Sequence, residues 1–322
     1  PQIVWLPGAY GRSLRIARRH RADVLYTTAP PQSLNLLGMR LQEALGLPWV
    51  ADLRDPWTDG VHRNQWYPDN PGRKAREEAW ERQIFERADH VIVVTESARE
   101  GFLVKYPWCP PDRISVITNG FDPVDFAQVT PEPRFLEKGR LNVTLTGHVE
   151  TLFDLVPFFT AVEDVVREPE RRAALRINFV GTRRMPRYDA WIEGHGLGDV
   201  IRYHKYVPHA DSVQILTESQ VLMLCMTPRH DYGAVKILGK MCEYLYTRKP
   251  VLALTIPGIT SRILESAGVG TTIDPGDVPG MAAAMRRFLD EHRAGGIRVA
   301  PNEAVIGTFD REQQAGALAA IL

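Results

Sequence analysis

Cysteine is scarce, with three in 322 residues, at positions 109, 225 and 242. They lie far apart, with no CxxC and no histidine at ligand spacing, which excludes a disulfide framework and a structural zinc site. Long apolar runs are missing too. Nothing approaches the ~20 residues that span a bilayer, and no signal peptide is expected. Excess charge of one sign is also absent: Lys plus Arg and Asp plus Glu each number 39. Binding to nucleic acid draws on counterion release by a basic surface, so no nucleic-acid partner is expected. Repeats and low-complexity tracts are lacking. Hydrophobic residues at 44% and charged residues at 24% exclude disorder and coiled coil. A globular protein of the reducing cytoplasm is the expectation.

What is present is alternation. Short apolar runs rich in β-branched residues occur at 23–28, 48–53, 90–95, 113–118, 141–147, 175–181, 200–204, 220–226, 250–255 and 269–274. Most are continuous rather than alternating, as parallel strands covered on both faces require. Helical patterns fill many of the gaps, at 33–45, 72–88, 97–106, 236–247 and 279–292. Strand alternating with helix gives an α/β fold of βαβ units. The proline-bearing stretch DPVDFAQVTPEPRFLEKGR (122–140) breaks the pattern. The expected organisation is a first Rossmann-like domain at 1–127, a linker at 128–140, a second Rossmann-like domain at 141–300 and a helix at 301–322 that crosses back. The chain opens PQIVWLPGAYG, without the strand and glycine turn usual in such a domain, so an opening strand is expected to be missing.

Ligands of doubly wound sheets sit beyond the carboxyl ends of the strands, which directs attention to the loops there. ADLRDPW places Asp52, Arg54 and Asp55 after one strand, either as an anchoring ion pair or as groups facing a ligand. The turn NGFD follows another, with Asn119–Gly120 a turn signal. Gly147 and His148 end the strand at 141–147, and Gly181 ends the next, followed by Arg183, Arg184 and Arg187. In GKMCEYLYTRKPVLAL (239–254), Lys240 and Glu243 are three apart and share a helix face. A carboxylate there can accept ribose hydroxyls and an ammonium can meet a diphosphate; a plain surface pair is the other reading. GRSLRIARRHR (11–21) carries five arginines, either a solvated helix face or a contact for anionic lipid.

Taken in order, DVLYTTAPPQS, GLPWVADLRDPW, ADHVIVVTESARE and ISVITNGFDPVDF resemble the amino-terminal domain of family 4 glycosyltransferases, bacterial-type enzymes of GT-B architecture. LTGHV, INFVG, VIRYHKYVPHADSVQIL, GKMCEYLYTRKPVLAL and IPGITSRILESAGVGTTIDPGD continue the resemblance through the second half, so that it covers about 20–292. The resemblance implies two Rossmann-like domains with parallel sheets facing a cleft, and a retaining transferase whose second domain holds a nucleotide-sugar donor. It implies that Glu243 takes the ribose hydroxyls, that the backbone at Val207 meets the base, and that amides of the loop around Gly258 meet the diphosphate. Arg54 and Asp55 match the position near the reacting sugar. The sequence departs from the family where an Arg and a Lys are expected to grip the diphosphate: His148 and Phe153 stand there. Lys240 or Lys236 is then the candidate cation, with Arg183 or Arg184 behind. Lys236 also occupies the place of a second acidic residue, whose role falls to Asp231 or the backbone near Gly233.

The resulting expectation is a metal-independent glycosyltransferase moving a hexosyl- or aminosugar-type group to a hydroxyl acceptor, with no cofactor beyond the donor. Asp55, Arg54 and His148 are the candidate catalytic residues. Glu243, Lys240, Gly147, Gly181, Arg183, Val207, Lys236, Asp231 and Gly258 are the candidate donor-binding residues. Peripheral membrane contact through 11–21 is the further partner expectation. The alternatives are a catalytically decayed nucleotide-binding or partner protein of the same architecture and a nucleotide-sugar 2-epimerase.

Overall fold

The structure is a computed structural model, which describes residues 3–58, 70–149, 153–227 and 237–322. The chain forms two compact units, one of residues 1–119 with 312–322 and one of residues 120–311.

The first unit opens with helix α1 (Leu6–His20), followed by β1 (Leu25–Ala29), α2 (Ser33–Leu45), β2 (Trp49–Leu53), α3 (Pro71–Arg87), β3 (His90–Val93), α4 (Glu96–Lys105) and β4 (Ile114–Val116). The strands pair in parallel in the order β1-β2-β3-β4. Every residue of β2 is buried, which explains its apolar run around the single acid Asp52. Helix α2 packs tightly on the sheet because Gly38 has no side chain; a Cβ there would lie 2.6 Å from Trp49 Nε1. Trp49 Nε1 in turn donates to Thr27 Oγ1 at 2.8 Å.

Beyond β2, the chain is pinned by Glu81 of α3, which is fully buried. Its carboxylate accepts from the Thr58 amide (3.0 Å) and hydroxyl (2.9 Å), Lys105 Nζ (2.6 Å) and Tyr106 Oη (2.8 Å). A buried carboxylate is tolerable when its lone pairs are filled in this way.

The second unit contains β5 (Leu141–Thr146), α5 (Val156–Val165), α6 (Pro169–Ala174), β6 (Leu175–Val180), α7 (Pro186–Gly194) and β7 (Ile201–His204). It continues with α8 (His209–Glu218), β8 (Val221–Cys225), α9 (Gly239–Thr247), β9 (Val251–Leu254), α10 (Ile259–Ser266), β10 (Gly270–Ile273), α11 (Val278–Arg293) and α12 (Glu303–Gly307). The six parallel strands run β10-β9-β8-β5-β6-β7. Consecutive connections lead outward in opposite directions from β5 and β8, so those adjacent strands mark the switch point of the sheet.

All ten expected strands are present. Helices α5, α7 and α8, at positions given no helix from sequence, fill further crossovers; in α5 the polar residues are few, Thr160, Glu163 and Asp164 on one narrow face. The last helix, α13 (Arg311–Ala319), belongs to the first unit from Glu312 onward, and there Gln314 Nε2 donates to Thr118 Oγ1 at 2.9 Å.

The units divide between Asn119 and Gly120, rather than after 127, and the second unit extends past 300 to Arg311. Local bonds explain the shift. Phe121 N donates to Phe309 O at 2.9 Å, and Arg311 N donates to Phe121 O at 3.0 Å. The stretch expected as a free linker is fixed to α8: the amides of Arg134, Phe135 and Leu136 donate to Glu218 at 2.7, 2.9 and 2.8 Å. Gln214 accepts from the Thr130 amide at 2.8 Å.

Candidate functional site

In the second unit the carboxyl ends of the strands share one edge, because all six run the same way. Strand β5 ends at Gly147, whose φ of +74° suits glycine, and β6 ends at Gly181 with φ +66°. Tyr244 of α9 caps the end of β5: its hydroxyl accepts from the Thr146 amide at 3.1 Å and lies 3.1 Å from Thr146 Oγ1. Burial pushes the Tyr244 phenol up to about 12, so it stays neutral.

One turn earlier on the same helix, Lys240 Nζ donates to the carbonyls of Thr146 (2.6 Å) and His148 (3.0 Å). The lysine thus bridges over Gly147, where a Cβ would stand 3.6 Å from Nζ. Thr182 Oγ1 donates to the Gly147 carbonyl at 2.6 Å, tying the ends of β5 and β6 together. An ammonium is therefore fixed beside a glycine turn at the switch point, where an anionic ligand could approach the backbone.

Glu243 lies one turn further along α9, flanked by the buried Cys242 and Tyr244. Its Oε1 lies 3.1 Å from Nε2 of His209, the first residue of α8. Val207, two residues before that histidine, packs on Leu136, Val180 and Ile215. Tyr206 beside it is exposed, with its Cα 3.8 Å from a Cβ placed on Gly181. After β9, α10 begins at Gly258, where Ser261 Oγ accepts from the Gly258 amide at 2.9 Å and donates to its carbonyl at 3.0 Å.

The structure therefore brings Gly147, Lys240 and Glu243 together, with Val207 near Glu243 through His209. Gly181 lies at the neighbouring strand end. Arg183 is exposed, while Arg184 pairs with Asp189 at 3.1 Å and Arg187 lies over the Tyr188 ring. These arginines contribute to the α7 surface. His148 offers its carbonyl to Lys240 and its side chain is exposed. Phe153 is buried in the core, as its apolar side chain requires. Asp231 and Lys236 lie outside the described residues. Sequence inspection missed His209, Tyr244 and Thr182: a histidine inside the polar run PHADS and a tyrosine among apolar neighbours carry no spacing signal.

In the first unit, Arg54 and Asp55 follow β2 and are exposed. Arg54 donates to the side chain of Asn119, which ties the loop after β2 to the segment after β4 within the first unit. Gln32 Nε2 donates to the Asp55 carbonyl at 3.0 Å. Asp52 is the buried acid: it accepts from Tyr26 Oη (2.7 Å) and Thr28 Oγ1 (3.0 Å). Burial raises its carboxyl above the usual range, against the opposing effect of those hydrogen bonds and of Arg54. Tyr26 is pushed up to about 12, chiefly by burial and then by its bond to Asp52.

Comparison with known proteins shows the family and the fold. Residues 1–125 match Glycosyltransferase Family 4 and residues 140–291 match Glycosyl transferases group 1, leaving only the junction and the tail uncovered. The chain is a family 4-like glycosyltransferase of GT-B architecture, built from two Rossmann-like domains. No curated protein matches the sequence.

Among solved structures, sucrose-phosphate synthase from Thermosynechococcus elongatus is similar at a TM-score of 0.65 and 15% identity, over 98% of this chain and 77% of that one. HepE of Anabaena, in complex with UDP, gives 0.65 at 14% identity over 97% and 81%. A UDP-N-acetylglucosamine 2-epimerase from Listeria monocytogenes, described as putative, gives 0.58 at 14% over 98% and 78%. At these identities the likeness concerns the fold.

Proposed function

We propose that this glycosyltransferase takes its sugar from a nucleoside-diphosphate donor and passes it, with retention at the anomeric carbon, to a hydroxyl acceptor. The observation that carries the reading is the placing of Lys240 and Glu243 along one helix, beside the glycine turn at Gly147. Diphosphate chemistry suits the ammonium end and ribose the carboxylate end. HepE binds UDP and UDP-glucose in its solved complexes, which supports a nucleotide-sugar donor here.

In this reading the bond between anomeric carbon and diphosphate breaks while negative charge builds on the leaving oxygens. Lys240 and the amides at the start of α10 stabilise that charge in place, without solvent rearrangement. The acceptor hydroxyl attacks from the same face, and its proton passes to a departing phosphate oxygen. Arg54 and Asp55 are assigned to the acceptor and reacting sugar, and Arg183 to a secondary contact with phosphate. The chain supplies the cationic charge itself, which makes the reaction metal-independent. The protein is placed in the cytoplasm, with α1 touching an anionic membrane face.

The test is a panel of nucleotide sugars incubated with the protein, scoring released nucleoside diphosphate and the linkage of any product. Binding is followed separately by calorimetry for the parent and Glu243→Ala. Release of diphosphate together with affinity lost in the variant supports the reading. A parent that binds no nucleoside diphosphate overturns it. Conversion of a UDP-sugar to its 2-epimer, with no sugar transferred, directs the protein to epimerase chemistry instead.

A further inference from the structure

We infer that His209 is a positioning residue that makes the donor site select ribose over 2′-deoxyribose. The inference rests on the reading that Glu243 receives the sugar hydroxyls of a nucleoside diphosphate.

His209 is the first residue of α8, and Pro208 immediately before it caps the helix with extended backbone (ψ 157°). The imidazole reaches to α9, where Nε2 donates to Glu243 Oε1 at 3.1 Å. The two residues come from different crossovers of the sheet, 34 positions apart, so their meeting is a product of the fold. The segment leading to the histidine is anchored by Val207 against Leu136, Val180 and Ile215. The glutamate is anchored from below by its buried helix neighbours.

The consequence concerns geometry. An ionised carboxylate offers about four lone-pair sites on two oxygens. His209 occupies one on Oε1, leaving Oε2 and the second site on Oε1 for the vicinal hydroxyls of a ribose. A glutamate held by one such bond presents those sites in a fixed direction, whereas an unheld one loses side-chain freedom when ligand binds. Both hydroxyls must be present for the geometry to be used, and a 2′-deoxy sugar leaves one site empty. His209 contacts Glu243, while Lys240 is engaged with the carbonyls at the end of β5. The histidine acts on the ligand through Glu243 and needs no contact of its own.

Calorimetry with uridine and guanosine diphosphates and their 2′-deoxy counterparts tests this on the whole chain. The parent should prefer the ribo form by roughly tenfold or more, the factor that a lost hydrogen bond to a charged acceptor gives. His209→Ala should reduce that preference to about twofold, the factor for losing most of one such bond. His209→Gln, whose amide N–H can donate to Glu243, should recover much of it. Circular dichroism checks that the variants are folded. Equal weakening of ribo and deoxy ligands by His209→Ala, or an unchanged preference, overturns the inference and leaves the donor reading standing. So does a parent that binds the deoxy form as well as the ribo form. A parent that binds none of these ligands refutes the donor reading first and the inference with it.

Discussion

Lys240 holds its ammonium 2.6 Å from the carbonyl of Thr146, and by this contact ties α9 to the end of β5. The second bond, to His148, closes the lysine over the Gly147 turn. Charge-assisted hydrogen bonds to an anion contribute about 1.5–3 kcal/mol. Lys240→Met keeps the stem of the side chain and removes the charge. Nucleoside diphosphate affinity should fall on the order of tenfold to a hundredfold, with a much smaller loss for the matching monophosphate. Calorimetry with both ligands checks this, and an equal loss for the two would show that the lysine acts on the fold rather than on the diphosphate.

Tyr244 is fully buried and its hydroxyl serves the amide and side chain of Thr146. Tyr244→Phe preserves the ring but leaves that amide without an acceptor. An unsatisfied buried donor costs about 1–3 kcal/mol. The melting temperature should drop by roughly 2–4 °C for each kcal/mol in a unit of this size. A melting temperature equal to that of the parent would mean that the amide finds another acceptor.

Glu81 accepts four hydrogen bonds with no exposure of its own, while Lys105 keeps a side-chain exposure of 25%. Removing one member of a buried pair costs about 3–5 kcal/mol, and partial exposure of the lysine lowers that to roughly 2–4. Glu81→Ala should therefore unfold at clearly lower denaturant than the parent, and Glu81→Gln should fall between, since its carbonyl still accepts. A Glu81→Gln midpoint below that of Glu81→Ala would contradict the acceptor role.

Helix α1 carries Arg12, Arg15, Arg18 and Arg19 without a single acidic residue. Leu6 is buried, and Ala9, Tyr10 and Leu14 pack against the core of the first unit. Val4, before the helix, is 78% exposed, and Ile16 is 60% exposed with Arg12 and Arg19 one turn away on the same helix face. Exposed apolar groups among cations suit an anionic lipid surface, where each basic residue contributes about 1 kcal/mol. The protein should cosediment with phosphatidylglycerol vesicles and not with phosphatidylcholine ones. Arg12→Glu with Arg19→Glu should abolish this, as should raised salt. Binding that ignores both changes would remove the electrostatic basis.

Much of this was readable in the chain. Ten parallel strands announced themselves through continuous apolar runs, since burial on both faces leaves no polar alternation. Lys240 and Glu243 were legible because a spacing of three on a helix fixes their common face. His209 was not: its partner is 34 positions away, and only the sheet order brings α8 beside α9. The domain boundary moved for a similar reason. Proline and lack of periodicity mark 122–140 as irregular, but whether an irregular stretch is free depends on distant acceptors, here Gln214 and Glu218. Asp52 shows the converse, an acid in a strand whose burial was visible but whose partners, Tyr26 and Thr28, required strand pairing to identify.

Burial also sets a pH dependence. His204 stands at the end of β7 with Nε2 3.0 Å from Asn178 Oδ1, and Asn178 Nδ2 donates onward to Asn142 at 3.2 Å. Burial, followed by the nearby Arg202, holds its imidazole below the ordinary value of about 6.5. His90, in the first unit, is lowered chiefly by burial and then by Arg113, with Asp112 opposing. As pH falls below 6.5 the unfolded chain takes up a proton before the folded one does. The stability these groups contribute is therefore complete above that value and is lost as pH falls through their folded values. His204→Gln keeps a donor toward Asn178 and cannot titrate. Between pH 7.5 and 5 the parent should lose more stability in urea than this variant, whereas the carboxylates common to both affect them alike. Parallel losses in the two proteins would show that His204 binds its proton equally in the folded and unfolded states.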